Sequence, residues 1–175
     1  MERRLQYFGS RILRNRSEEV DVASAEEFLK KFVEQMFSVL RMENGLGLAA
    51  PQVGENLRLF ILSPEEPSFM GHTVFINPVV EISGPFQKEE EGCLSIPGVY
   101  EFVKRPSSAR VTALDLSGEK FTLDLRDYPA RAVQHENDHL DGILFVDRLS
   151  PLRKKLVRKK LAEIKREYGP DTRIL

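Results

Sequence analysis

The sequence predicts an α+β fold, with small antiparallel or mixed sheets around a central helix and with further helices near the N- and C-terminal ends. Three observations support this: an amphipathic helical pattern near the start, a run of short β-rich segments in the middle, and two helical patterns after them. A chain of 175 residues, 41% of them hydrophobic, fits one core. Residues 1–175 are therefore predicted to form a single domain.

The N-terminal helix is predicted over residues 25–43. Apolar residues recur there at three- and four-residue spacing, which gives the helix one apolar face. Ser24 followed by Glu27 has the pattern of a capping box, and Gly45 is predicted to end the helix. The segment after Gly45 is apolar but too broken by glycine and proline to continue as a helix.

Short runs rich in β-branched and aromatic residues occupy the middle of the chain, separated by Pro, Gly and Asn. The predicted strands are Leu57–Leu62, Thr73–Ile76, Val79–Ile82, Val99–Val103, Ala109–Leu116 and Phe121–Leu125. Ser117 and Gly118 indicate a hairpin turn between the last two of them.

Two helices are predicted after the strands. Asp127 is predicted to cap the first, which begins near Tyr128 and ends at Gly142. The second should run from Pro151 to Tyr168 with one apolar stripe. Within residues 153–168 this helix has eight basic and two acidic residues, a net charge of +6, so the rest of the chain, whose total is −1, carries about −7.

Cysteine usage and hydropathy indicate the compartment. Cys93 is the one cysteine, so it forms no internal disulfide, and a reducing cytoplasm is the simplest location. No apolar run is long enough to cross a membrane, and the first residues lack a secretory pattern, so no membrane partner is expected. A lone cysteine is by default a small buried apolar residue, and its neighbours must favour another role.

The segment His135-Glu136-Asn137-Asp138-His139 carries the clearest chemical signal. Histidines four residues apart lie on the same helix face, so both rings can bind one divalent ion. Glu136 is offset by one residue, which places its carboxylate beside an open coordination position as a general acid–base. The pattern predicts a metal-dependent amide hydrolase and by itself favours zinc. The alternative is a surface helix with two solvated histidines.

A hydrolytic metal site needs a third protein ligand as well. Cys93 is predicted to be this ligand because a thiolate binds borderline and soft divalent ions well, and because Gly92 allows close backbone approach. His72 is interpreted as a loop histidine and Glu163 as a partner in a helix ion pair. If Glu163 were instead the third ligand, the protein would be a zincin-like endopeptidase.

Three segments together resemble the peptide deformylase family. They are Gly45-Leu46-Gly47-Leu48-Ala49-Ala50-Pro51-Gln52, Glu91-Gly92-Cys93-Leu94-Ser95 and Gln134-His135-Glu136-Asn137-Asp138-His139. These look like the family's G-x-G-x-A-A-x-Q, E-G-C-x-S and Q-H-E-x-D-H elements, in the same order and with fitting spacing. The resemblance covers nearly the whole chain, and it implies removal of the formyl group from the N-formyl-methionine of nascent polypeptides, with release of formate.

The resemblance also implies roles for individual residues. The implied metal ligands are Cys93, His135 and His139. Glu136 would be the general acid–base, and the Gln52 side-chain amide and the Leu94 backbone N–H would stabilise the oxyanion. Family members usually hold Fe²⁺ and accept nickel, cobalt or, less actively, zinc, so one Fe²⁺ per chain is expected.

The residues expected to contact the substrate are Leu46, Gly47, Gly92, Tyr128 and Ala132. Leu46 and Gly92 would offer backbone groups to an extended peptide, as to a strand added at a sheet edge. Gly47 and Cys93 would wall an acyl pocket tight enough to reject acetyl. The methionine side chain would lie near Tyr128, Ala132 and His135. Two residues depart from the family pattern: Arg131 stands where many members carry an apolar residue, and Tyr100 where some carry a basic one.

The basic C-terminal helix, predicted within residues 152–169, favours an anionic partner. Similar helices in some family members dock on ribosomal RNA, so salt-sensitive ribosome binding through residues 152–168 is expected. A solvated face that balances an acidic body is the alternative. A second rival to the enzyme is an RNA-binding module with a structural metal site. The sequence does not fix the oligomeric state, and a monomer is the expectation.

Overall fold

The structure is a computed structural model that describes residues 3–169. Within this range the helices and strands are α1 (Val22–Met42), β1 (Gly47–Ala49), β2 (Leu59–Leu62), β3 (Val74–Cys93), β4 (Ile96–Leu114), β5 (Lys120–Arg126), α2 (Asp127–Leu140) and α3 (Pro151–Tyr168). The strands form one sheet in chain order, and each neighbouring pair is antiparallel. The predicted α+β class is confirmed, with one continuous sheet in place of several small ones.

The long hairpin of β3 and β4 is the main difference from the predicted strands. These strands have 20 and 19 residues, respectively. Pro78 and Gly84 divide β3 in the sequence, but the strand continues past them because the pairing register shifts between Ile76 and Val79 and again after Ser83. Cys93, which lies outside every predicted strand, is the last residue of β3.

The predicted capping box of α1 is wrong. Asp21 caps this helix, its side chain accepting a hydrogen bond from the Ala23 backbone N–H at 3.2 Å. The Ser24 hydroxyl instead donates to the Asp21 carbonyl at 3.2 Å, and Glu27 pairs with Lys31 at 2.7 Å. A cap three residues earlier lengthens the helix to Val22, and its end at Met42 is close to the predicted one.

The starts of the other two helices differ in how well they were predicted. Asp127 is not the cap of α2: it is the first residue of the helix, has φ of +53°, and accepts a hydrogen bond from Gln87 Nε2 at 2.7 Å. The prediction for α3 is confirmed at both ends, with Ser150 as its cap. The turn at Ser117–Gly118 is also confirmed, between β4 and β5.

Helix α2 lies against the sheet and is the most buried of the three helices. Ala130, Val133 and Leu140 are fully buried with residues of β4 and β5. Helix α1 packs on β1 and β2. Helix α3 contributes Val157 and Ile164 to a separate apolar cluster that includes Ile96 and Val99, near the β3–β4 turn. Among the described residues, no helix has the length and hydropathy that a membrane span requires.

Candidate metal centre

The candidate ligands come from two elements that pack against each other. His135 and His139 lie one turn apart on α2, and Cys93 ends β3 beside them. Their ligand atoms all lie within 4.8 Å of one another, and Cys93 Sγ is 3.3 Å from His139 Nε2. One sulfur and two imidazole nitrogens form a donor set that suits Fe²⁺, Zn²⁺ or Co²⁺. The arrangement therefore fits an ion with positions left for water and substrate.

Glu136 lies beside these three residues and is 6% exposed. Its Oε2 atom is buried, with no hydrogen-bond partner among residues 3–169. Burial raises the pKa of Glu136 to about 7, because desolvation disfavours the carboxylate more than the surrounding cations favour it. Such a carboxyl group can both accept and release a proton near neutral pH.

Gly47 makes the position of Glu136 possible. A Cβ atom added at Gly47 would lie 2.6 Å from Glu136 Oε1, closer than real side-chain atoms approach. The glycine stands at the start of β1, whose pairing with β2 fixes it there. Only a residue without a side chain allows β1 and the carboxylate of α2 to meet at this distance.

Glu91 orients the first imidazole. Its Oε2 atom is 3.1 Å from His135 Nδ1. Arg105 donates to both Glu91 oxygens at 2.6 and 2.9 Å, and Arg131 donates to Oε1 at 2.5 Å. Burial alone would raise the pKa of Glu91, but the hydrogen bonds from His135 and Arg105 outweigh it and hold the pKa far below its usual range. A permanent carboxylate at Nδ1 leaves Nε2 to face the cluster.

The two imidazoles differ in their electrostatics. Burial lowers the pKa of His139, whose Nδ1 has no partner among the described residues. Burial also lowers the pKa of His135, but hydrogen bonds with Cys93 and Glu91 outweigh it and raise that pKa to about 10. The sulfur and the carboxylate thus favour positive charge at His135, which is the charge that a divalent cation would bring.

A second carboxylate extends the buried network to the other side of α2. Asp138 accepts from Arg105 Nη1 at 2.8 Å and from Arg148 Nε at 2.6 Å. Neither arginine was singled out from the sequence. From Val99 onward the odd-numbered residues of β4 are buried, so Arg105 occupies a core position of an alternating strand. A lone arginine at such a position is the signal that could have identified it.

Gln52 lies in a short 3₁₀ helix, Ala50–Val53, directly after β1. Its Oε1 atom accepts the Ala49 backbone N–H at 2.8 Å, so the amide nitrogen points toward the site. That nitrogen lies 3.2 Å from Ser95 Oγ and 3.5 Å from Cys93 Sγ. Leu94 follows Cys93 in the turn of the long hairpin. Both predicted oxyanion donors are thus next to the candidate ligands.

An open cavity of about 430 Å³ leads to the cluster. Ten of the eleven residues predicted for the site line it, and the exception, His139, is 1% exposed. Arg131 and Tyr100 line it as well. The Tyr100 ring lies so close to Gly92 that a Cβ atom there would be 2.6 Å from the ring, which explains the glycine at this position.

Two residues considered as alternative ligands lie elsewhere. Glu163 is on α3 and pairs with Lys160 at 3.9 Å, which is the ion pair predicted for it. His72 stacks on Phe121 with ring centroids 4.0 Å apart. Neither side chain belongs to the cluster, so the structure gives no support to a ligand set that includes Glu163.

Known proteins with similar sequences point to one family. The chain matches the polypeptide deformylase family over residues 2–155. Peptide deformylase 1B of Arabidopsis thaliana, a chloroplast and mitochondrial protein, is 39% identical over 163 residues, which cover 92% of this chain and 59% of that relative's length. The peptide deformylase of Fusobacterium nucleatum is 37% identical over 168 residues, 94% of this chain and 93% of the relative.

Solved structures agree with the sequence comparison. Peptide deformylase from Plasmodium falciparum has a TM-score of 0.87 and 37% identity, covering 97% of this chain and 99% of the other. The enzyme from Legionella pneumophila has a TM-score of 0.81 and 35% identity, covering 98% and 99%. The whole described fold is therefore shared with these proteins.

Proposed function

The chain belongs to the polypeptide deformylase family, and on that premise we propose that it hydrolyses the formyl group from the N-formyl-methionine of nascent polypeptides. The observation that carries the proposal is the cluster of three ligand atoms within 4.8 Å of one another, beside a buried carboxyl group on the next residue of the same helix. Residues 1–175 act as one catalytic domain in this proposal.

The proposed ligands of one divalent ion are Cys93, His135 and His139. The proposed ion is Fe²⁺, for which Zn²⁺, Ni²⁺ or Co²⁺ can substitute. When bound, the ion supplies Lewis acidity, which lowers the pKa of water toward about 7 and polarises the formyl oxygen. The mixed sulfur and nitrogen donor set supports a borderline metal, and the resemblance of the three motifs supports iron in particular.

Glu136 performs the proton transfers. It takes a proton from the attacking water and later donates that proton to the amine of the departing methionine. A pKa near 7 supports both steps, because the group is then near half-protonated at neutral pH. Its unpartnered Oε2 atom is available to hold the proton between the two steps.

Gln52 and Leu94 stabilise the negative charge that develops on the formyl oxygen. The Gln52 amide nitrogen is fixed toward the site because its oxygen is already bound to the Ala49 N–H. The Leu94 backbone N–H is the second donor, at the turn next to Cys93. Each donor of this kind contributes about 2.7–4 kcal/mol in comparable oxyanion holes.

The substrate enters through the cavity of about 430 Å³. Leu46 and Gly92, which both line it, bind the peptide backbone, and Tyr128 and Ala132 border the methionine side chain. Gly47 leaves so little room beside Glu136 that formyl fits and acetyl is excluded. The formyl group is the smallest acyl group, so a narrow pocket selects it by size alone.

The basic helix α3 docks on ribosomal RNA, where nascent chains emerge. Its net charge of +6 within residues 153–168 supports binding to phosphate. Val157 and Ile164 are buried against the body of the protein, which leaves most of the basic side chains of residues 152–168 exposed. In this proposal the enzyme works as a monomer in the cytoplasm, where its single cysteine stays reduced.

Formate release tests the proposed reaction directly. Iron-loaded protein, kept anaerobic, should release formate from formyl-Met-Ala-Ser and release no acetate from acetyl-Met-Ala-Ser. In parallel, Cys93→Ser should lose the metal, whereas Glu163→Gln should retain it. An inactive protein that holds its metal would contradict the proposal, as would metal loss in Glu163→Gln, the result that a zincin-like site predicts.

A further inference from the structure

A second open cavity, which we call the basic groove, lies between the N-terminal segment and the last turns of α3. Its volume is about 1090 Å³. It is lined on the N-terminal side by Gln6 and residues 9–12, and on the helix side by Ala162, Lys165 and Arg166. The described residues that line it include three cations and no aspartate or glutamate, and none of the candidate metal ligands. The groove is therefore a positively charged site apart from the metal centre.

Close packing fixes the two sides of the basic groove relative to each other. A Cβ atom added at Gly9, which has φ of +107°, would lie 2.6 Å from Lys165 Cγ, so the lysine side chain rests directly on the glycine backbone. The rings of Tyr7 and Tyr168 also join the two sides, with centroids 4.3 Å apart. Because the Lys165 stem is already held, its ammonium group loses less conformational entropy when it binds an anion.

Two cations of the basic groove have no acidic partner. Arg11 and Lys165 are exposed, and neither forms an ion pair within the part of the chain that the structure describes. Gln6 adds an uncharged donor, because its Oε1 atom accepts the Ser10 hydroxyl at 2.9 Å and its amide nitrogen remains for a ligand. Guanidinium, ammonium and amide N–H groups together suit the oxygens of a phosphate group.

The basic groove continues a row of basic residues along α3. Arg158 is four residues before Ala162, and Lys154 is four residues before Arg158, so they lie on the side of the helix that carries Lys165. Lys154 and Arg158 are both exposed. From Lys154 to Lys165 the helix rises about 16 Å. The row and the groove together thus offer a polyanion one continuous path with several cations.

We propose that the basic groove binds the phosphate backbone of ribosomal RNA, with Arg11 and Lys165 contacting one strand from its two sides. The inference rests on the proposed function, in which α3 docks on the ribosome, and it adds a contact from the other end of the chain. The concave shape favours RNA over a membrane, because a strand can enter a groove and a flat bilayer surface cannot. The exposed leucines of α3, Leu152 and Leu156, do not line the groove, so they offer it no apolar anchor for lipid.

The salt dependence of binding tests these contacts. The affinity of the full-length protein for vacant bacterial ribosomes and for protein-free ribosomal RNA is measured between about 50 and 200 mM salt. Arg11→Gln with Lys165→Gln should weaken binding to both by roughly tenfold or more at the lowest salt. The slope of log affinity against log salt should fall by about 1.5, since each lost phosphate contact removes roughly 0.7 to 0.9. Arg11→Lys keeps the charge and should bind nearly as the wild type does. An unchanged slope in the double variant would overturn the inference.

Matched substitutions on the sheet separate the groove from a general charge effect. Lys120→Gln with Arg126→Gln removes the same two charges from exposed residues of β5 that do not line the groove, and should keep the slope. An equal loss in this variant would overturn the assignment. Binding of the wild type to vesicles of phosphatidylcholine and phosphatidylglycerol, but not to RNA, would overturn it as well.

Formate release from formyl-Met-Ala-Ser separates this inference from the proposed reaction. All these variants should release formate at the wild-type rate, because none of the substituted residues lines the cavity at the metal centre. No formate release from the wild type would overturn the proposed reaction. Formate release with an unchanged salt slope in the Arg11 and Lys165 double variant overturns only this inference.

Discussion

Arg105 and Arg110 lie five residues apart on β4 and form nearly the same ion pair on opposite faces of the strand. Arg105 donates Nε and Nη2 to Glu91 at 2.6 and 2.9 Å, and Arg110 donates the same two atoms to Asp124 at 2.7 and 2.9 Å. The Arg105 side chain is 2% exposed, and that of Arg110 is 57% exposed. The two-bond geometry is alike, but the buried pair is shielded from water and has further partners in Asp138, Arg131 and His135.

This difference decides what each pair can do. Water can replace either partner of the exposed pair, so that pair fixes little. Glu91 is only 6% exposed and Arg105 only 2%, so Glu91 depends on Arg105 and Arg131, and Arg105 depends on Glu91 and Asp138. The buried pair therefore holds β3, β4 and α2 in fixed relative positions. Glu91, fixed in this way, orients the His135 ring through its contact with Nδ1. Of these two ion pairs, only the buried one helps to position a residue of the metal centre.

The largest effect should come from breaking the buried pair. Arg105→Leu leaves Glu91 and Asp138 buried with fewer counterions, and we expect it to lower the free energy of unfolding by about 3–5 kcal/mol. Arg110→Leu, the matched change on the exposed face, should leave the urea midpoint unchanged. Similar losses in the two variants would show that burial is not what distinguishes the pairs.

The same contrast explains what the sequence could and could not predict. His135, Glu136 and His139 lie within two turns of one helix, so their relation is visible in a short stretch of sequence. Arg105 is 14 residues from Glu91 and 33 from Asp138, and only the folded hairpin brings them together. Long-range partners of this kind leave a single trace in the sequence, a charge at an inward position of an alternating strand.

The fold was predictable to a similar extent. Helical periodicity gave both ends of α3, because this signal is local. The length of β3 and β4 was not predictable, since bulges carry the strands past the residues that usually end them. Asp21 was overlooked as the cap of α1 because Ser24 and Glu27 form the more familiar pattern.

Substituting Gly47 tests how strictly the position of the Glu136 carboxylate matters, without changing any charge. Gly47→Ala puts a Cβ atom 2.6 Å from Glu136 Oε1, so the carboxylate must move. A displacement of this size should lower kcat about 100-fold while the metal content stays at one ion per chain. An active Gly47→Ala variant would mean that the position of Glu136 is not critical.

Removing the charge of Glu91 tests whether the buried pair reaches the metal centre. In Glu91→Gln the imidazole of His135 loses a carboxylate partner, and metal affinity should fall roughly 10- to 100-fold. Asp124→Asn makes the matched change in the exposed pair and should bind metal as the wild type does. Competition with a chelator measures both, and equal affinities in all three proteins would contradict the role given to Glu91.

The smallest effect should come from the exposed charges of α3. Replacing Lys154, Lys155 and Lys159 with glutamine should leave urea unfolding and formate release unchanged, because these side chains are exposed. Ribosome binding should weaken and lose part of its salt dependence. These substitutions are cleaner than deleting residues 152–175, which would also remove buried Val157 and Ile164. Unchanged ribosome binding would leave α3 as a solvated face.

Glu136→Ala tests the central claim most directly, because it separates holding the metal from using it. The variant should keep one ion per chain by elemental analysis and lose formate release from formyl-Met-Ala-Ser by a factor of about 100 to 10,000. Loss of the ion would mean that Glu136 helps to bind the metal. Formate release at the wild-type rate would contradict its role as the acid–base.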